Sequence, residues 1–216
     1  MGIAENTALL LHDPTTGAPV VDGTSLPRVL AGAVVLELVL GGHARLEKRR
    51  RTHLVRDDTT PIDDDVLRAA RDRLPADTTP KRAVEKLQRH VRDPIMGRLV
   101  ATGVLRVQER SVLGFVPLAP RWPALDPQPR STLLDRLHAI LVDGAAPSPD
   151  EAALVALVRA VKAEAKLLVG HRRELRARSK EIADGDWAGE AVRKAIADVH
   201  DAVTASVVAA SVASSG

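Results

Sequence analysis

Arg89 and Arg92 lie three residues apart within an apolar pattern, Val84, Leu87, Val91, Ile95 and Leu99, whose spacing of three or four is helical. On one helix they share a face. With Arg98 further along, they could present guanidinium forks to a phosphate, because a guanidinium donates two parallel N–H bonds to such a group. The chain's single phenylalanine, Phe115, follows in Val112-Leu113-Gly114-Phe115, beside the tip of a hairpin read over 104–116. This stretch either packs in the core or forms a small apolar wedge that enters a membrane interface while nearby arginines hold lipid phosphates. Two other basic runs, Lys48 to Arg56 and Arg172 to Lys180, read first as solvated faces.

Other chemistries find little support. There is no cysteine, so disulfides, thiolate nucleophiles and cysteine-based zinc sites are excluded. The seven histidines are scattered, with no His-Glu-x-x-His or other close ligand cluster. No Gly-Lys-Ser/Thr phosphate loop, Gly-x-Gly-x-x-Gly turn or Gly-x-Ser-x-Gly elbow occurs. Asp57-Asp58 and Asp63 to Asp65 read as caps near a helix start rather than as paired catalytic carboxylates. The expectation is a protein with no catalytic residues, no metal and no cofactor.

The elements that must position these residues are mostly helices. A chain of 216 residues that is 45% hydrophobic can bury a core, and one domain over 1–216 is expected. Only Phe115, Trp122 and Trp187 are aromatic, so Leu, Val, Ala and Ile must fill that core through close helix contacts. Ser25 reads as the cap of a helix that Gly41-Gly42 stop. Its run from Val29 to Leu40 is interrupted by Glu37 and is shorter than the roughly 20 residues of a membrane span, so it is a buried helix. Ala44 to Arg56 reads as a basic β-hairpin. Asp63 to Asp65 open a helix to Leu74, and a loop with Pro75 and Pro80 follows. A helical pattern covers Lys81 to Thr102, with Pro94 expected to kink or break it. Val104–Val107 and Val112–Val116 flank Gln108 to Ser111 as a second hairpin.

Leu38 to Glu47 and Leu99 to Gln108 echo each other as helix, glycine, strand. Pro117 to Pro129 reads as a loop, and Ser131 starts the next helix. Ser148-Pro149-Asp150-Glu151 is a capping box heading a helix through Leu168. Gly170 precedes a basic stretch from His171 to Ile182, and Asp186-Trp187 opens the last helix. The tail from Ala202 to Ala213 is too short and too weakly apolar for an anchor, and the first residues lack a secretory signal, so a cytoplasmic location is expected. The fold class is mainly α, with a buried central apolar helix, surrounding amphipathic helices and two short β-hairpins.

Two segments resemble the Golgi phosphoprotein 3 family. Leu9-Leu10-Leu11-His12-Asp13 into a glycine turn, then Ala31-Gly32-Ala33-Val34-Val35-Leu36-Glu37-Leu38, Gly42 and Leu46-Glu47, is similar to the family's first helix and hairpin. Arg89-His90-Val91-Arg92, Leu99-Val100 and Gly103-Val104-Leu105 resemble its Arg-x-Val-Arg helix and Gly-Val-Leu strand entry. The resemblance implies a helical peripheral protein that binds phosphatidylinositol 4-phosphate. Arg89 and Arg92 would contact the lipid phosphate, and Val112, Leu113 and Phe115 would form the membrane-inserting hairpin tip. The tryptophan and further arginine of the eukaryotic pocket fall near Asp22 and Ala31 here. The chain looks like the compact bacterial branch, peripheral on the cytoplasmic face of a membrane. The alternative is a non-specific nucleic-acid-binding or scaffold protein using the basic hairpin 45–56, with a homo-oligomer through the hairpins as a further partner. Helix Ser25 to Leu40 is too apolar to read a groove, which ranks lipid first.

Overall fold

The computed structural model describes residues 1–112, 116–184 and 190–213. The apolar opening is a helix, α1 (Ile3–Leu10), whose Glu5 carboxylate accepts the Gly2 N–H at 3.0 Å. A loop leads to α2 (Ser25–Leu40), buried on every side from Val29 to Leu36. Ser25 begins this helix rather than capping it. Asp22 does the capping, accepting the N–H groups of Thr24 and Ser25 at 3.0 and 2.8 Å. Around α2 pack α1 and five helices from later in the chain.

The two glycine stops foreseen in the sequence are the same motif. Gly42 (φ +75°) donates to Val39 O while His43 donates to Leu38 O. Gly103 (φ +73°) donates to Val100 O while Val104 donates to Leu99 O. Both are left-handed turns that satisfy the last carbonyls of a helix, conformations glycine adopts at no steric cost.

The first stop feeds β1 (Ala44–Lys48) and β2 (Thr52–Arg56), paired antiparallel with Leu46 opposite Leu54. After α3 (Asp65–Arg73), capped by Asp64, a short third strand β3 (Asp77–Thr78) joins β2. Pro80 is not in a loop: it is the first residue of α4 (Pro80–Leu87), with Thr79 as cap, where a missing N–H costs nothing.

The helix expected through Lys81 to Thr102 is two helices, broken at Gln88–Val91 rather than at Pro94. It restarts as α5 (Arg92–Ala101), which places Pro94 in the first turn. A continuous helix would set the Pro94 ring against the His90 carbonyl, and restarting at Arg92 removes that clash. Arg89 therefore sits in a turn and Arg92 begins a new helix, so the shared helical face does not exist.

The second hairpin is also displaced. Val104 and Leu105 fold under the end of α5, and the ladder runs from β4 (Gln108–Val112) to β5 (Val116–Arg121). Gln108 to Ser111 is strand, not turn. A two-stranded ribbon with solvent-facing residues needs no apolar alternation, which is why the pattern misled. The expected proline loop contributes Pro117 and Pro120 to β5, an edge strand that tolerates them.

α6 (Gln128–Leu141) starts before Ser131, with Pro129 inside its first turn. The capping box heads α7 (Pro149–Ala160) as expected: Ser148 Oγ accepts the Glu151 N–H at 3.3 Å, and Glu151 accepts the Ser148 N–H at 2.7 Å. The helix expected to reach Leu168 stops at Val161, and α8 (Glu164–Leu167) follows a turn at Lys162. α9 (Arg172–Asp184) covers the basic stretch, and α10 (Glu190–Ala213) takes in the tail from Ala202. The expected start at Asp186-Trp187 lies outside the described residues. Gly32 of α2 faces α10 so closely that a Cβ there would meet Val203 Cγ2 at 2.3 Å. The buried apolar residues form one continuous cluster from Ile3 to Val203.

Candidate functional site

The turn between α4 and α5 is built by Leu87, whose carbonyl accepts the His90 N–H at 2.8 Å, and by Val91, which is buried. These anchors leave Arg89 and His90 exposed. Arg89 has no hydrogen-bond or ion-pair partner among the described residues. A notch of about 180 Å3 flanks the turn, lined by Arg73, Leu87, His90 and Pro94 among others.

Arg92 is held. Its guanidinium carbon lies 4.6 Å from the ring centroid of Trp122, and its Nε is buried without a hydrogen-bond partner. A cation over an aromatic face is attracted by the ring quadrupole, by about 0.5–2 kcal/mol depending on desolvation. Trp122 is 7% exposed and sits just after β5. Its N–H donates to Gly17 O at 3.3 Å, and Ala124 donates to Pro14 O at 2.8 Å, which ties the end of the hairpin to the loop after α1. Gly17 (φ +62°) is required: a Cβ would lie 2.3 Å from Trp122 N.

His12 completes the support, its ring edge-on to Trp122 with centroids 6.1 Å apart. Its Nδ1–H donates to Ala8 O at 2.7 Å, leaving Nε2 buried without a partner. Burial drives its pKa down to about 4 against the opposing Ala8 bond, and the Arg92 charge adds to the fall. His12 is thus a neutral wall behind a fixed cation. Trp122 was legible only as one of three aromatics; no spacing connects it to Arg92, 30 positions earlier in a chain whose contacts bring them together.

Arg98 does not join this pair. It makes a two-pronged contact with Asp64, with Nη2 to Oδ1 at 2.8 Å, and reaches Glu5 at 3.3 Å. The Asp64 hydrogen bond raises its pKa further above the ordinary arginine value, although burial opposes this. Its charge is spent inside the fold. The same acidic group includes Glu37, the interruption in the apolar run, whose carboxyl burial pushes up to about 7 while the Ile3 and Ala4 N–H groups oppose.

At positions named for the eukaryotic pocket, Ala31 is fully buried and Asp22 caps α2. Burial raises the Asp22 carboxyl, but the Ser25 and Thr24 hydrogen bonds outweigh it and hold the pKa well below the usual range. Of the apolar tip, Val112 pairs with Val116 at the end of the ladder, and Leu113 and Phe115 lie outside the described residues.

The basic hairpin 45–56 is partly neutralised. Arg49 pairs with Asp77 at 2.6 Å and with Glu47 at 2.8 Å, His53 pairs with Asp77 at 2.6 Å, and Arg56 with Asp58 at 2.7 Å. Among the described residues no three His, Asp or Glu side chains form a metal site, and no helix is long and apolar enough to cross a membrane.

The α4–α5 turn thus carries an exposed guanidinium, Arg89, three residues before one braced on a ring, Arg92. A family model agrees with the architecture around it: the Golgi phosphoprotein 3 (GPP34) model matches residues 3–199, from α1 into α10. Comparison with curated proteins finds no match. With nearly its whole length matched, the chain belongs to the Golgi phosphoprotein 3 family.

Proposed function

We propose that this protein is a non-catalytic peripheral membrane protein that binds anionic phospholipid, with a phosphoinositide headgroup of the phosphatidylinositol 4-phosphate kind as its ligand. The observation that carries the reading is Arg92 fixed over Trp122, three residues after an exposed Arg89 that is unpaired among the described residues. A pre-positioned guanidinium loses less freedom on binding, and Arg is suited to phosphate because its donors fork. Family membership supports the same chemistry. The sequence that joins β4 to β5, Leu113-Gly114-Phe115, is apolar and supplies the shallow insertion.

Each arginine near a charged surface contributes about 1 kcal/mol, and burial of a Leu or Phe roughly 1.5–3 kcal/mol. Neither anchors the protein alone. In flotation with vesicles containing phosphatidylinositol 4-phosphate, Arg89→Ala with Arg92→Ala should weaken binding and flatten its salt dependence, and Leu113→Glu should abolish binding even at low salt. Far-UV circular dichroism should be unchanged in both. Wild-type protein that ignores anionic vesicles overturns the proposal.

A further inference from the structure

A second basic recess lies where α7, α8, α9 and α10 meet, and it shares no residue with the α4–α5 turn. Its volume is about 270 Å3, and Arg159, Lys162, Arg176 and His200 line it together with Glu164 and Thr204. At about 30 Å3 per water in the liquid, this is room for several waters or for one phosphate ester.

Three observations set the recess apart from an ordinary charged surface. Lys162 is the one residue other than glycine with positive φ among the described residues, at +54°. It occupies the left-handed position of the turn that ends α7, donating to Arg159 O at 2.9 Å while Ala163 donates to Val158 O at 3.0 Å. Gly42 and Gly103 hold the equivalent place after α2 and α5. A lysine there is strained where glycine would not be, and strain kept beside a recess points to use of the side chain. Arg159 is pre-positioned: Nη1 donates to Arg176 O at 3.1 Å and to Ser179 Oγ at 3.3 Å, and Ser179 in turn donates to Glu164 at 3.0 Å. Glu164 is buried and is the one carboxylate on the wall among the described residues. The Thr204 hydroxyl is buried with no hydrogen-bond partner among the described residues. No ion pair joins Arg159, Lys162 or Arg176 to a carboxylate among those residues.

We infer that this recess binds a small soluble phosphate compound, held by Lys162, Arg159 and Arg176 and by the Thr204 hydroxyl. His200, whose Nδ1–H is committed to Ala156 O at 2.9 Å, forms part of the wall beside them. The rival account is that these cations only offset the negative end of the α7 dipole. That account predicts no ligand.

Lys162→Gly separates the two, because glycine relieves the backbone while removing the charge. Thermal midpoints would be measured with inorganic pyrophosphate against sodium chloride of equal ionic strength, since a ligand specific to the folded state raises the midpoint saturably. Wild-type protein should gain stability from pyrophosphate beyond the salt control. Lys162→Gly should melt no lower than wild type without ligand, yet bind pyrophosphate at least tenfold more weakly. Arg176→Gln, at an exposed position, should lose a similar factor. Arg89→Ala with Arg92→Ala should retain the full shift. The inference is overturned if pyrophosphate does no more than matched salt, if Lys162→Gly keeps the full shift, or if Lys162→Gly instead loses binding to anionic vesicles.

Discussion

In both the α2–β1–β2 unit and the α5–β4–β5 unit, a helix ends on a glycine at positive φ, Gly42 at +75° and Gly103 at +73°, and the chain turns into a hairpin. Beyond the turn the two units diverge. The first hairpin takes on a third strand, anchors Leu54 in the core at 1% exposure, and meets its cations with Glu47, Asp58 and Asp77. The second stays two-stranded, and Arg106, Arg110 and Arg121 have no ion-pair partner among the described residues. Its anchor is Trp122, which packs under Arg92. Identical stops therefore serve two ends: one hairpin is partly neutralised by Glu47, Asp58 and Asp77, and the other leaves these three arginines unpaired among the described residues, with a guanidinium fixed over the tryptophan at its end. The second arrangement is the one on which the proposed lipid reading rests.

The largest effect that tests this contrast is Trp122→Ala. Truncating a buried tryptophan should cost about 3–5 kcal/mol, and Leu54→Ala in the other hairpin about 2–5 kcal/mol. Both should lower the midpoint of chemical denaturation. Only Trp122→Ala should also weaken flotation with anionic vesicles, measured where both variants remain folded, because it alone frees Arg92. Equal losses of vesicle binding would dissolve the distinction between the hairpins.

A smaller effect comes from His12 behind that tryptophan. Its folded pKa of about 4 lies below the ordinary 6.5, so the unfolded chain takes up the proton first. The stability that neutral His12 confers is complete above pH 6.5 and falls as pH descends toward 4, by an upper bound of about 3 kcal/mol. Glu37 runs the other way: its pKa is raised, so its contribution is complete below pH 4.5 and lost as pH rises through about 7. The difference between wild type and His12→Gln isolates the histidine. The variant should show a shallower decline between pH 6.5 and 4 in urea titrations. Parallel curves would show that His12 is not neutral by burial.

How much of this could be read from residue order depends on the range of the contacts involved. The buried α2, both glycine stops, the Asp64 cap and the Ser148–Glu151 box were legible because each rests on neighbours within about five positions. The first hairpin was placed correctly for the same reason. The break between α4 and α5 was missed by a few residues, since the pattern Val84, Leu87, Val91, Ile95 continues across it and only the Pro94 ring decides where the restart falls. The second hairpin slipped because Val104 and Leu105 look like strand but are held by Leu99 O and a bridge to Ala124. Arg98 was read as a phosphate ligand because nothing local announces Asp64, 34 residues earlier. For the same reason Trp122 received no role: its partners Gly17, His12 and Arg92 come from segments remote in the chain.

The smallest effect on stability, and the sharpest on charge, is expected from Asp77→Asn. Asp77 accepts from His53 and Arg49, and these bonds, the His53 bond first, hold its carboxyl below the usual range. The pairs are solvent-exposed, where ion pairs contribute little, so the thermal midpoint should barely move. The substitution nevertheless removes the acid that pairs with Arg49 and accepts from His53, next to Lys48, Arg50 and Arg51, which have no acid partner among the described residues. Wild-type protein should bind random-sequence duplex DNA only weakly at low salt, through phosphates rather than base edges. Asp77→Asn should bind it more tightly, with a salt slope steeper by roughly 0.9 for each additional phosphate neutralised. Binding to anionic vesicles should change less than binding to DNA, because the site proposed for lipid lies at the other hairpin. If the substitution leaves DNA binding unchanged, acid matching is not what distinguishes the two hairpins. A sequence-specific footprint that survives physiological salt in the wild type would go further and make the first hairpin, rather than the second, the functional one.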